Sequence, residues 1–408
     1  MLSYTQKTLN INLQDKTILD KTKQAISEIK EDLKKTGDYD ALSIAYKDDD
    51  LQEIIDFSKF LNNNFKKVLV LGIGGSSLGA KTLLALKHQD KVEILENIDA
   101  DSVKFVFDNL DLENTAILTV SKSGKTIECI SQTLILLKIF EDKLGKESIG
   151  KHFFFLTEDK DSPLTQLAKE FNIKTLEHHK TIGGRFSYLS NVGLIPACIA
   201  GLDIKAIRDG AKDTLEYLFN NEDNFIADIC AKQSELYKNG VVANVVMPYI
   251  DRLEKLTEWY RQLWAESIGK NGFGIIPINA IGTIDQHSQL QLYMEGPRNL
   301  FFTFITKKND KNALKIEKTY NKEFDYLKNK TLDEIMSIEA ESTIEVLNRR
   351  NLPIRVIEIQ ELNERCLSQL LMQYMLETII VSKINGINPF GQPAVEERKI
   401  LARELIRK

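Results

Sequence analysis

The stretch from residue 116 to residue 140 constrains the fold most, because it joins a buried strand to a helix through a short polar turn. Residues 116–120 are apolar and rich in β-branched side chains, and residues 127–140 carry apolar side chains at the helical period. The turn between them, residues 121–126, reads Ser-Lys-Ser-Gly-Lys-Thr. Such a turn directs N–H groups and hydroxyls outward at a helix N-terminus, where the helix dipole favours an anion. We therefore predict a phosphate monoester site here, with a solvated connecting loop as the alternative.

A second loop of small residues follows an earlier predicted strand. Residues 72–79 read Gly-Ile-Gly-Gly-Ser-Ser-Leu-Gly, directly after the apolar residues 67–71. In an open parallel sheet, loops that follow neighbouring strands meet at the carboxyl edge, where ligands bind. A dinucleotide fingerprint is also conceivable, with Glu96 as its acidic residue, but Ser77 stands where the third glycine belongs. Phosphosugar binding explains both loops, whereas dinucleotide binding explains only one.

Predicted strands alternate with helical patterns, which predicts an α/β fold with doubly wound parallel sheets. Gly201-Leu202-Asp203 ends a helix of small residues and marks the predicted domain boundary, after which a second α/β set begins. We predict a helical N-terminal arm at 1–39, a first domain at 40–203, a second at 204–386 and a C-terminal segment at 387–408 that contributes to the site. The predicted strands are 67–71, 92–95, 116–120, 152–157, 173–176, 241–247, 300–305 and 354–359.

The composition limits the partners and the compartment. A net charge of -5 without a long basic stripe argues against a nucleic-acid partner. The four cysteines are widely spaced in apolar contexts, which favours free thiols and a reducing compartment. No stretch of 18 uncharged apolar residues and no leader pattern is present. These features predict a cytoplasmic protein with no membrane partner.

Four charged or titratable side chains are candidates for chemistry. Arg185 follows two adjacent glycines, which could direct its guanidinium inward towards developing negative charge. Glu266 ends a predicted helix, His287 lies in a predicted polar loop, and Lys399 follows a turn. Local pattern alone favours an ordinary solvated or structural role for each of them. No His or Cys cluster has the spacing of metal ligands.

Six stretches of the chain carry a combined signal. They are Gly-Ile-Gly-Gly-Ser-Ser-Leu-Gly (72–79), Ser-Lys-Ser-Gly-Lys-Thr-Ile-Glu (121–128), Gly-Gly-Arg-Phe-Ser (183–187), Gln-Leu-Trp-Ala-Glu-Ser-Ile-Gly-Lys (262–270), Gly-Thr-Ile-Asp-Gln-His-Ser-Gln (282–289) and Asn-Pro-Phe-Gly-Gln-Pro-Ala-Val-Glu-Glu-Arg-Lys (388–399). In this order they resemble the glucose-6-phosphate isomerase family, whose domains are sugar isomerase (SIS) domains. Two departures from the family pattern are small: Ala80 stands where a proline is usual, and Gly391 where an aspartate is common.

The resemblance implies two SIS domains of doubly wound α/β type and an isomerase that needs neither metal nor cofactor. The expected reaction is the interconversion of glucose 6-phosphate and fructose 6-phosphate. Glu266 would move the proton between C2 and C1, and Arg185 would stabilise the enediolate. His287 and Lys399 would assist ring opening, while Glu128 matches a family position with a less certain role.

The resemblance also implies the substrate contacts and the assembly. The expected partner is a second copy of the chain, with His287 delivered across the interface of a homodimer and Tyr293, Met294 and Leu300 suited to that interface. The expected substrate-binding residues are Ser121, Ser123 and Thr126 for the phosphate with Lys122 nearby, and Gly75, Ser76 and Gln392 for the sugar.

Three other functions stay open at this point. A bifunctional isomerase that also accepts mannose 6-phosphate would differ only in loop details. A non-catalytic SIS-type sugar-phosphate sensor would keep the turn at residues 121–126, here called the serine turn, but would need neither Glu266 nor Arg185. A nicotinamide-dependent oxidoreductase is a more distant alternative.

Overall fold

The computed structural model describes residues 1–310 and 312–408, which form two compact units. The first unit comprises residues 29–212, and the second comprises residues 1–28 together with 213–408. Residues 1–28 therefore belong to the second unit, residues 29–212 form the first unit, and residues 213–408 complete the second. The predicted domain limits at residues 39, 203 and 386 stay predictions.

Strands and helices alternate along the chain, which confirms the predicted α/β class. The strands are β1 (Tyr4–Leu9), β2 (Lys67–Leu71), β3 (Val92–Leu95), β4 (Thr115–Val120), β5 (Phe153–Thr157), β6 (Lys174–Glu177), β7 (Ala243–Pro248), β8 (Ile276–Asn279), β9 (Leu300–Lys307) and β10 (Ile354–Ile359). The α-helices are α1 (Lys16–Asp32), α2 (Asp40–Ser43), α3 (Leu51–Asn64), α4 (Leu78–Leu84), α5 (Ala100–Asp108), α6 (Ile127–Leu144), α7 (Ile149–His152), α8 (Pro163–Glu170), α9 (Asn191–Ile199), α10 (Ile204–Asn220), α11 (Phe225–Lys238), α12 (Glu254–Ile268), α13 (Ile284–Ser288), α14 (Leu290–Glu295), α15 (Leu332–Asn348), α16 (Glu364–Ile384) and α17 (Ala394–Ile406). Short 3-10 helices occupy Ile44–Tyr46, Gly74–Ser76, Leu112–Asn114, Lys146–Ser148, Gly184–Leu189, Asp251–Leu253 and Lys322–Leu327.

The first unit is built on a parallel sheet with the strand order β3-β2-β4-β5-β6. Every residue of β4 is buried, as expected for a central strand covered on both faces. Helices pack on the sheet through an apolar core that includes Leu136, Phe140 and Phe155. Strand order reverses between β2 and β4, so the loops that follow these two strands meet at the carboxyl edge. This edge carries both loops of small residues that the sequence singles out.

The second unit repeats this order in its parallel strands, β8-β7-β9-β10, and adds β1 antiparallel to β10 at the edge. Its apolar core includes Val245, Phe302 and Phe304. Helix α16 is buried along most of its length.

The prediction of a wholly helical arm at residues 1–39 is wrong for β1. Gln6 lies in the middle of this strand, and its side-chain oxygen accepts hydrogen bonds from Arg355 Nε at 2.8 Å and Gln373 Nε2 at 3.0 Å. Arg355 in turn pairs with Glu377, and both side chains are fully buried. Polar contacts, rather than alternating apolar side chains, hold this strand in the sheet. The sequence of residues 4–9 therefore lacks the alternating pattern from which a strand would be predicted.

No helix in the described part of the chain is long and apolar enough to cross a membrane.

Candidate active site

The loop after β2 is held in place by the half-buried carboxylate of Glu96. Gly74 adopts a positive φ of 59°, and the turn continues through Ser76 into α4. The Ser77 hydroxyl donates to Glu96, whose other oxygen lies 2.6 Å from Lys81 Nζ. Both oxygens of Glu96 are therefore engaged within the unit. The structure therefore gives no support to the dinucleotide interpretation, in which the Glu96 carboxylate would bind a ribose.

Gly75 is the point at which two loops touch. A Cβ atom added to Gly75 would lie 2.4 Å from the carbonyl carbon of Gly184 and 2.6 Å from the backbone nitrogen of Arg185. The hydroxyl of Ser187 lies 2.7 Å from the carbonyl oxygen of Gly184 and 3.1 Å from that of Gly75. Only glycine permits this approach, because no side chain fits between the two backbones. The loop after β2 therefore sets the position of the backbone that carries Arg185.

Arg185 is buried, with only 6% of its surface exposed. It lies in the 3-10 helix Gly184–Leu189, and its guanidinium is 5.1 Å from the ring centre of Phe186. Tyr188 packs close to Gly79, where an added Cβ would lie 3.0 Å from the Cβ of Tyr188. The solvated role that the local pattern favours for Arg185 is therefore wrong, because the glycines allow the segment to pack inward.

The serine turn after β4 leads into α6. Ser121 is buried, and its hydroxyl lies 2.8 Å from that of Thr126, the residue that precedes α6. Gly124 has a φ of 62°, and its N–H donates to the carbonyl of Ser121 at 3.0 Å. Ser123 is exposed, and its hydroxyl accepts from the N–H of Lys125 at 3.2 Å. Hydroxyls and N–H groups are thus gathered at the N-terminus of an 18-residue helix, where an anion is favoured.

Lys122 lies in this turn, but its ammonium group contacts another segment, residues 180–182. Its Nζ donates to the carbonyl of Lys180 at 2.7 Å and to that of Ile182 at 2.9 Å. Glu158 Oε1 lies 3.6 Å away. Burial lowers the pKa of Lys122 from its usual range, and the nearby Glu158 opposes that shift. The side chain therefore connects the serine turn to the segment that precedes Arg185.

Glu266 lies near the end of α12 in the second unit. The helix is anchored by buried residues, among them Leu263 and Trp264, whose indole N–H donates to the carbonyl of Ile275 at 2.9 Å. Glu266 itself is half-buried, and its Oε1 accepts from Gln262 Nε2 at 3.1 Å. The helix thus holds a carboxylate on a rigid element, oriented by an amide one turn earlier.

His287 lies on the short helix α13 rather than in the predicted polar loop. Its two preceding neighbours anchor the helix: Asp285 accepts from the N–H of Ile281 at 2.7 Å, and Gln286 accepts from the hydroxyl of Tyr249 at 2.8 Å. His287 is exposed. The sequence missed this helix because side-chain contacts made by Asp285 and Gln286, rather than an apolar period, define it.

Gln392 and Lys399 belong to the C-terminal segment. Lys270 Nζ donates to the carbonyls of Asn388 and Phe390, at 2.6 and 3.0 Å, and so fixes the turn that leads to Gln392. Lys399 lies on α17, 2.5 Å from Glu396 Oε1. The sequence motif contained Lys270 but suggested no role for it, since a contact over more than a hundred residues leaves no local signal.

The structure assigns the predicted residues to two groups, each within one unit. The first unit brings together Gly75, Ser76, Ser121, Lys122, Ser123, Thr126 and Arg185 on its three loops. The second unit carries Glu266, His287, Gln392 and Lys399. Within residues 1–310 and 312–408, no three His, Cys, Asp or Glu side chains cluster as a metal ion would require.

The sequence and the fold both have known relatives. The chain is 35% identical over 394 residues to the probable glucose-6-phosphate isomerase of Methanococcus maripaludis, which covers 93% of this chain and 87% of that protein. It is 36% identical over 351 residues to the glucose-6-phosphate isomerase of Campylobacter jejuni, covering 84% and 85%.

Solved structures share the fold over nearly the whole chain. A hypothetical protein from Thermus thermophilus superposes with a TM-score of 0.89 at 26% identity, covering 99% of this chain and all of that one. A glucose-6-phosphate isomerase from Chlamydia trachomatis gives a TM-score of 0.85 at 20% identity, covering 99% and 88%. The model of the phosphoglucose isomerase family matches residues 56–408, so the resemblance inferred from the six motifs is confirmed and the chain belongs to the phosphoglucose isomerase family.

Proposed function

We propose that this protein catalyses the reversible interconversion of glucose 6-phosphate and fructose 6-phosphate. One structural observation carries this proposal beyond family membership: the anion-binding turn at residues 121–126 is packed in the same unit as the buried Arg185. An anchor for an unreacting phosphate and a permanent cation are the two features that an enediolate pathway without a metal requires. The activity follows from the family, and the roles below follow from the residues.

The phosphate is assigned to the serine turn. The hydroxyls of Ser121, Ser123 and Thr126 and the N-terminal N–H groups of α6 suit a dianion. Because the phosphate does not react, its binding energy can hold the sugar carbons in the reactive geometry. Gly75 and Ser76 would line the sugar site from the loop after β2, and Gln392 would contact the sugar from the C-terminal segment.

Glu266 is assigned as the base. Its carboxylate removes the proton from C2 of the open-chain aldose, and the electron pair moves through C1 to the carbonyl oxygen. The resulting cis-enediolate carries its charge on O1, and the proton of the C2 hydroxyl moves to O1. Return of the first proton to C1 then leaves a carbonyl at C2 and a hydroxyl at C1, which completes the ketose. The hydrogen on C2 is weakly acidic, so the step requires a positioned carboxylate and a nearby electrophile. Arg185 supplies this electrophile as a charge that does not titrate.

His287 and Lys399 are assigned to ring opening, in which a proton must leave the anomeric hydroxyl and another must reach the ring oxygen. An imidazole and an ammonium group can each exchange protons with oxygen. His287 is exposed on α13 and Lys399 is half-buried on α17, which leaves both accessible to a substrate or a second chain.

A homodimer is proposed as the working assembly, with His287 supplied by the other copy. The interface prediction is wrong for Tyr293, which is buried in the core of the second unit, whereas for Met294 and Leu300, which are half-buried against that core, it stays a prediction. Exposed apolar side chains elsewhere in this unit are better suited to an isologous interface. They are Ile284, Leu292, Leu314, Tyr320, Phe324, Tyr326 and Leu332.

A coupled assay with glucose 6-phosphate and mannose 6-phosphate side by side, after treatment with EDTA, tests the proposed reaction. We expect turnover of glucose 6-phosphate that survives the chelator. Turnover of both sugars would favour the bifunctional isomerase, and turnover of neither, with binding retained, would favour the sensor. Activity that returns only with a divalent ion would contradict the proposed mechanism.

We also propose a cytoplasmic location. All four cysteines are free thiols, and burial raises the pKa of Cys129 and Cys366 to about 12. Buried thiols of this kind are typical of a reducing compartment.

A further inference from the structure

Lys122 lies within the serine turn, yet its ammonium group donates to backbone carbonyls outside that turn. Two carbonyl oxygens, those of Lys180 and Ile182, accept from Nζ at 2.7 and 2.9 Å. The third direction points to Glu158, 3.6 Å away. Two of the three donors of the ammonium group are therefore engaged by backbone carbonyls, and Glu158 supplies a nearby negative charge.

The backbone of Lys122 is held in the same region. Its carbonyl accepts from the N–H of Glu158 at 3.2 Å, directly after β5. Main chain and side chain together therefore fix the serine turn to two neighbouring segments of the first unit.

The carbonyls of Lys180 and Ile182, which accept these hydrogen bonds, lie just before residues 183–187, here called the arginine loop. Ile182 is fully buried and is joined by one peptide bond to Gly183, two residues before Arg185. From the other side, Gly184 and Arg185 pack against the backbone of Gly75. The arginine loop is thus held at two places, by the loop after β2 and by Lys122.

We propose that Lys122 is a positioning residue that sets the place of Arg185 and does not bind the phosphate with its side chain. This inference rests on the proposed function, because it assumes that Arg185 stabilises the enediolate. A displaced Arg185 would lose transition-state stabilisation while the hydroxyls and N–H groups of the serine turn remain. Loss of Lys122 should therefore lower kcat and leave the affinity for phosphate almost unchanged.

The first experiment measures kcat, KM and the inhibition constant of inorganic phosphate for Lys122→Met. We expect kcat to fall by about 10- to 100-fold, as for a displaced catalytic group, with KM and the inhibition constant within about twofold of wild type. The matched control is Lys160→Met, which removes a cation paired with the same Glu158 without touching the carbonyls of Lys180 and Ile182. The control should keep kcat. A large rise in KM and in the inhibition constant with kcat preserved would show that Lys122 binds the phosphate, and would overturn the inference.

The second experiment is a double-mutant cycle between Lys122→Met and Arg185→Ala. If Lys122 acts through Arg185, its loss in the Arg185→Ala background should change kcat by less than about twofold. Effects that multiply would mean that the two residues act independently, and would overturn the inference alone. An Arg185→Ala variant that keeps its kcat would instead contradict the proposed function.

Folding is checked by circular dichroism and urea unfolding. Should Lys122→Met fail to fold, Lys122→Gln takes its place in both experiments, because its amide is polar but one bond too short to reach the position of Nζ and hold both carbonyls. A Lys122→Gln variant with wild-type kcat would overturn the inference, and one with lowered kcat and unchanged phosphate inhibition would support it.

Discussion

The two units present their site residues in different ways. In the first unit, Ser121 and Arg185 are buried, and Gly75 lies against the backbone of Gly184. In the second unit, His287 is exposed on a five-residue helix, and α17, which carries Lys399, has no buried residue. Only Glu266 lies on a helix with a well-packed apolar face.

This difference predicts how substitutions in each unit should impair activity. Residues of the first unit depend on backbone positions that neighbouring loops fix, so changes there should act through geometry. Residues of the second unit are presented on helices, so changes there should act through loss of the functional group or of a partner chain. Rigid positioning is what an anchor and an electrophile need, since they work by being in place before the reaction.

Glu266→Gln should have the largest effect and isolates a functional group without disturbing geometry. The amide nearly preserves the shape of the side chain but removes its basicity, so we expect kcat to fall by at least ~10²-fold with little change in KM. Steady-state kinetics measures both parameters. Glu254→Gln, an exposed change at the start of the same helix, is the control and should keep wild-type kcat. If Glu266→Gln retained most of its kcat, the base would have to be another residue.

Gly75→Ala tests the packed loops of the first unit. The added methyl group would lie 2.4 Å from Gly184 and should displace the backbone of Arg185, so we expect kcat to fall by about 10- to 100-fold. Gly183→Ala is the matched control, because its Cβ would lie at an ordinary 3.6 Å from Phe186. Equal effects of the two substitutions on kcat would argue against a special role for the contact at Gly75.

Mixed dimers test whether the exposed His287 serves the other copy. Glu266→Gln and His287→Ala homodimers should each be impaired, and refolding them together should give about half mixed dimers if association is random. A mixed dimer has one intact site and one with both defects, so activity should recover to about one quarter of wild type. Each variant refolded alone is the control. If both groups came from one chain, every site would keep one defect and mixing would restore nothing.

Acid unfolding tests the packing of the first unit at a residue outside the chemistry. His178 is fully buried, and burial lowers its pKa to about 4, from 6.5 in an unfolded chain. The unfolded state therefore binds more protons between these values, and stability falls as the pH drops below about 6.5. We expect His178 to contribute a loss of about 2 kcal/mol in the free energy of unfolding at pH 5, relative to pH 7.5.

Urea unfolding at the two pH values measures this loss. His178→Asn keeps a donor for the carbonyl of His179, which lies 3.1 Å from Nδ1 in the wild type, but cannot titrate. This variant should be less sensitive to acid, whereas His88→Asn, an exposed control, should behave as wild type. Equal acid sensitivity of His178→Asn and wild type would show that His178 is not the group responsible.

Local sequence patterns were sufficient for the family and for every parallel strand except β8, which was not predicted. The predicted strand at 354–359 coincides with β10, and most others lie within two residues of those observed, because buried parallel strands are short apolar runs bounded by turns. The six motifs identified the family because they carry glycines, hydroxyls and charges in a fixed order. They also named the residues to which the roles above are assigned, and those roles stay predictions.

Contacts between distant residues decided the rest. β1 is a strand because Gln6 meets Arg355 and Gln373, and the side chain of Lys122 extends to the segment before Arg185 because two carbonyls about sixty residues later accept its hydrogen bonds. Tyr293 is buried because its ring meets Phe302, 5.1 Å away in a neighbouring strand. A sequence reports the period and chemistry of one segment, and it does not report which polar partner the rest of the fold will bring to that segment. Apolar periodicity is therefore local information, whereas the partners of buried polar groups are fixed only when the tertiary structure forms.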